Sequence, residues 1–120
     1  MATHALTQGD IRRLLALLDA DLAAHGATGE VYMVGGAVMC LALDARHATK
    51  DVDALFRPAR VVREAAARVA LAEGLDASWL NDAVKGYLSL RGEFDLFLSL
   101  PNLQVFVAHP RYLLAMKCAE

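Results

Sequence analysis

The sequence predicts an α/β (α+β) domain, a small mixed β-sheet with helices packed around it. Three observations carry that prediction. Thr7–His25 and Ala59–Glu73 place apolar residues at three- and four-residue steps, the period of amphipathic helices. Between and after them lie short apolar runs bounded by turn residues, the length and setting of strands. The chain of 120 residues, 57% of them hydrophobic, is long enough for one core, and a single domain over 1–120 is expected.

Bulk properties narrow the function classes. A formal net charge of −2 gives no general pull towards nucleic acid, so an RNA substrate needs a local basic patch. No apolar run approaches the ~20 residues needed to span a bilayer. The N-terminus lacks the basic-then-apolar pattern of a signal peptide, so the expectation is a cytoplasmic protein without a membrane partner. Cys40 and Cys118 form no Cys-x-x-Cys pair, and a cytosolic setting favours free thiols. His4, His25, His47 and His109 are too scattered for a zinc site.

In chain order, the first helix is capped by Thr7 or Asp10 and presents Ile11, Leu14, Leu15, Leu18 and Leu22 as one apolar face. Gly26 and the following Ala-Thr-Gly stop it. Val31–Val34 is a strand that meets the glycine pair Gly35-Gly36. Ala37 to about Ala45 is nearly all apolar and is expected to be a buried helix. A polar turn leads to a second strand through Phe56, which carries Asp51 and Asp53. Pro58 suits the start of the second long helix, with Val61, Val62, Ala65, Val69 and Ala72 as its apolar stripe. Its arginines are expected to form a solvated face with Glu–Arg pairs. Gly74 ends it, and Asp76–Asp82 is a capped short helix or turn whose Trp79 packs inward. Val84–Leu90, Glu93–Leu100 and Leu103–Ala108 are three further strands, and Pro110 opens a last helix.

Two motifs carry chemistry. Residues i and i+2 of a strand share a face, so Asp51 and Asp53 project side by side while Val52 points to the core. Two such carboxylates repel unless a cation sits between them. Mg²⁺ is the expected cation, because it takes hard oxygen ligands and usually one or two carboxylates with substrate phosphates. Gly35 and Gly36 leave no Cβ in the way of a ligand, and the helix after them offers unpaired N–H groups to phosphate.

Together, strand, Gly-Gly, helix, strand with Asp-x-Asp resembles the nucleotidyltransferase fold of the DNA polymerase beta superfamily. Within it the chain is most similar to bacterial and archaeal proteins related to abortive-infection nucleotidyltransferase toxins. Their run is Gly-Gly-x-Ala, a helix, then Arg-x-Thr-x-Asp-(Ile/Val)-Asp. Here it reads Gly35-Gly36-Ala37-Val38, then His47-Ala48-Thr49-Lys50-Asp51-Val52-Asp53. His47 stands where an Arg is usual, and Arg46 precedes it. Leu80-Asn81 echoes a leucine-asparagine pair common in these relatives. Leu113-Leu114-Ala115-Met116-Lys117 echoes their Leu-Leu-Ala-x-Lys.

The resemblance implies a minimal nucleotidyltransferase that moves a nucleoside monophosphate from a nucleoside triphosphate to a hydroxyl of RNA, such as tRNA, or of protein. Asp51 and Asp53 are the implied metal ligands. Gly35, Gly36, Arg46, His47, Thr49 and Lys117 are the implied nucleotide-binding set. A third carboxylate often comes from a later strand beside the Asp-x-Asp strand, and Asp95 is the candidate. Were Leu103–Val107 that neighbouring strand, Gln104 would be its only polar residue and the third carboxylate would be missing. Toxin activity with a cognate antitoxin is further implied. The chain stops at Glu120, mid-helix by this resemblance, so the domain is expected to be truncated or naturally minimal. An uncovered apolar helix end there would favour a homodimer. The alternative is a catalytically inactive nucleotidyltransferase fold that binds nucleotide or a protein partner.

Overall fold

The computed structural model describes residues 6–34, 38, 48–49, 51–81 and 94–108. Among them β1 (Leu6–Thr7) leads into α1 (Gln8–Ala24), followed by β2 (Gly29–Val34), β3 (Ala48–Thr49), β4 (Val52–Arg57) and α2 (Ala59–Glu73). A 3₁₀ turn (Ala77–Trp79), β5 (Leu80–Asn81), β6 (Phe94–Ser99) and β7 (Leu103–Ala108) complete the order. Five strands form one mixed sheet in the order β5-β4-β2-β7-β6, and β1 pairs with β3 separately. This is the α+β architecture of a mixed sheet with packed helices. The predicted strand Val84–Leu90 and the helices expected at Ala37–Ala45 and after Pro110 lie outside the described residues, Val38 apart.

Both long helices form where the apolar period predicts them. Thr7 and Asp10 cap α1 together: Thr7 Oγ1 accepts from the Asp10 N–H (3.1 Å) and Asp10 Oδ2 accepts from the Thr7 N–H (3.0 Å). This reciprocal box satisfies two donors that the first helical turn leaves unpaired. The buried face of α1 is the predicted one: Ile11, Leu14, Leu15, Leu18 and Leu22. On α2 the buried stripe is Val62, Ala65, Ala66, Val69 and Ala70, with Ala72 exposed. Alanine is too small to mark a face from sequence. Here Trp79 selects it, lying over the helix and donating its Nε1–H to the Ala66 carbonyl (2.9 Å). Gly74 closes α2 at φ +71°, a left-handed cap that glycine adopts at no steric cost.

The sheet has two unlike faces. Alternation along β2, β4 and β7 sends Val31, Met33, Val52, Ala54, Phe56, Val105 and Val107 into the core with the helices. The opposite face carries Tyr32, Asp53, Leu55 and Phe106, all partly exposed. Tyr32 stacks on Phe106 at 4.6 Å and meets Phe94 edge-on at 5.3 Å. Strand β2 is central because it pairs antiparallel with β4 and parallel with β7. Arg60 makes the expected Glu–Arg pair within the helix, with Glu64 one turn on, whereas Arg57 pairs with Glu30 on β2 and Arg68, partly buried, reaches across to Asp21 on α1 at 2.7 Å.

Candidate functional site

The acidic motif stands at the beginning of β4. Asp53 is the second residue of the strand, and Asp51 occupies a bend just before it. The antiparallel register pairs Asp53 with Val34, the last residue of β2. The next residue along the chain is Gly35. The sheet therefore delivers the strand end that precedes the glycine pair directly to the acidic pair. Gly35 and Gly36 themselves lie outside the described residues, as do Arg46, His47 and Lys117. Thr49 is placed in β3, paired with Leu6, two positions before Asp51.

On its other side β4 pairs in parallel with β5, and Asn81 stands in register with Asp53. Asn81 donates its Nδ2–H to Asp53 Oδ1 at 3.1 Å. Burial, and then the Asp51 charge, push the Asp53 carboxyl above the ordinary carboxylate range, and the Asn81 amide pulls it partly back. A half-buried carboxylate with a second acid beside it is an arrangement that a divalent cation relieves. The donors present, two carboxylates of hard oxygen, are of the kind that would suit Mg²⁺.

Asp95 does not join this group. It lies on β6, which is separated from β4 by β7 and β2. At about 4.8 Å per strand that is roughly 14 Å across the sheet. The register also fixes its face: Asp95 pairs with Val107, Val107 with Met33, and Met33 with Ala54. Asp95 therefore shares the side of Ala54, opposite that of Asp53. The strand Leu103–Ala108 is not β4's neighbour either. The later strand beside β4 is β5, and the residue it brings to Asp53 is an amide. Among the described residues no group of three or more His, Cys, Asp or Glu side chains is placed to hold a metal.

Asn81 is the site residue that sequence reasoning left without a role. The Leu80-Asn81 echo marked its position, but a two-residue strand after a 3₁₀ turn has too little periodicity to read as a strand. Trp79 packs inward as expected, 3% exposed and bonded to α2.

Comparison with family models, with curated proteins and with solved structures gives no match. The functional reading therefore rests on the residues and their geometry. Among the described residues no helix is long and apolar enough to cross a membrane.

Proposed function

We propose that this chain is a Mg²⁺-dependent nucleotidyltransferase domain, with Asp51 and Asp53 as the metal-holding pair and the Gly35-Gly36 segment as the phosphate cradle. One observation carries the reading: Val34 pairs with Asp53, so the chain enters the glycine pair beside the acids. Bound there, Mg²⁺ would neutralise the triphosphate and the charge developing on the pyrophosphate. Asp51 and Asp53 would hold that cation through their carboxylate oxygens and so place the nucleotide. The acceptor hydroxyl oxygen bonds to the α-phosphorus, the bond from the α-phosphorus to the bridging oxygen breaks, and pyrophosphate leaves. The hydroxyl proton passes to water. Arg46, His47, Thr49 and Lys117 remain the proposed nucleotide-binding residues, and RNA or protein remains the proposed acceptor. A toxin role with a cognate antitoxin belongs to the same proposal, as do a cytoplasmic setting and a homodimer.

The placement of Asp95 favours a second reading. With no third carboxylate at Asp53 among the described residues, the same site would serve as a nucleotide-binding module without transfer. Incubation with each α-labelled nucleoside triphosphate, Mg²⁺ and either bulk tRNA or the protein alone separates the two. The transferase reading expects label on RNA or protein, lost in Asp51→Asn/Asp53→Asn by at least about a hundredfold. Nucleotide binding without label transfer supports the module.

A further inference from the structure

We infer that Asn81 is the positioning residue of the acidic pair, and that its neutrality limits the site to a cation bound together with the phosphates of its ligand. The inference rests on the Asp51–Asp53 reading above. Parallel pairing of β5 to β4 puts Asn81 in register with Asp53. The residues leading into it fix its position. Asp76 accepts from the Ser78 N–H (2.9 Å) and the Ser78 hydroxyl (2.7 Å), which shapes the 3₁₀ turn. Trp79, at the end of that turn, is anchored to α2 through the Ala66 carbonyl. Leu80 is buried at 5% exposure. The alternation of β5 then turns Asn81 to the face of Asp53, opposite to that of Leu80.

The chemistry follows from one hydrogen bond. The Asn81 amide occupies a lone pair of Asp53 Oδ1 and leaves the carboxylate's other lone pairs for a ligand. Fixing the carboxylate rotamer in advance lowers the ordering cost of binding. An aspartate at the same place would add a third negative charge and put a carboxylate oxygen where the amide nitrogen stands. Affinity of oxygen sites for divalent cations rises with the number of charged ligands. The wild-type pair is thus weak for the bare cation and depends on phosphate oxygens to complete the shell.

Calorimetric titration of wild type, Asn81→Asp, Asn81→Ala and Asp53→Asn with MgCl₂, alone and with a non-hydrolysable ATP analogue, tests this. Circular dichroism checks that each variant is folded. Asn81→Asp is expected to bind Mg²⁺ alone about tenfold tighter than wild type, an effect of charge count. Asn81→Ala is expected to weaken Mg²⁺ binding with the analogue about three- to tenfold, the loss of one charge-assisted hydrogen bond. A merely structural Asn81 would move thermal stability and leave both affinities alone. Folded Asn81→Asp within twofold of wild type for Mg²⁺ overturns the inference while the acidic pair stands. Wild type that takes up no Mg²⁺ with or without the analogue, like Asp53→Asn, overturns the metal reading and this inference with it.

Discussion

A carboxylate's neighbours decide what it can do. Asp53 is half-buried, faces the charge of Asp51 and accepts one amide hydrogen bond from Asn81. Asp95 is exposed on an edge strand and faces the other way. The two looked alike in sequence, each flanked by apolar residues, because strand order and facing depend on long-range pairing that no local pattern encodes. Asp76 shows a third outcome. Its hydrogen bonds from the Ser78 N–H and hydroxyl hold its carboxyl below the ordinary value of 3.8. A depressed acid stabilises the fold above its unfolded value and loses that contribution as pH falls through the folded value. Asp76→Asn keeps an acceptor and removes the charge. Its melting temperature is expected to lie below that of wild type at pH 7, with the gap closing below about pH 3.8. A gap independent of pH down to acid unfolding would contradict the role given to the charge.

Elements were legible in proportion to their length. The bounds of α2 and β7 read from periodicity match the observed ones, and α1 differs by one residue at each end. The two-residue strands β1, β3 and β5 were not legible, since two residues carry no period. Yet β5 supplies Asn81, and β3 tethers Thr49 to β1 beside the start of α1. The sequence places Gly29 in the helix stop. It is in fact the first residue of β2, because the chain there passes against α2: a Cβ on Gly29 would lie 2.7 Å from Val62 Cγ2. Gly29→Ala should therefore cost about 1–3 kcal/mol, the range for overpacking a core. Urea denaturation measures it. Val62→Ala in the same chain removes the clash, so the double variant should be less destabilised than the sum of the single variants. Additive losses would show that the crowding at Gly29 has another source.

At the scale of the molecule, the sheet order gathers what the sequence spread out. Residues 34, 53 and 81 come together at one end of three neighbouring strands. The fold class followed from helical periods and strand-length runs. The closeness of Asp51 and Asp53 follows from their spacing, whereas the Asn81 amide beside Asp53 does not. If Asp51 and Asp53 hold a metal–nucleotide complex, equilibrium titration detects it without knowledge of the acceptor. Each nucleoside triphosphate is titrated with and without Mg²⁺ into wild type and Asp51→Asn/Asp53→Asn. Binding is expected to require Mg²⁺ and to fall by at least about tenfold in the double variant. Binding that ignores Mg²⁺, or that survives loss of both carboxylates in a folded protein, would contradict it.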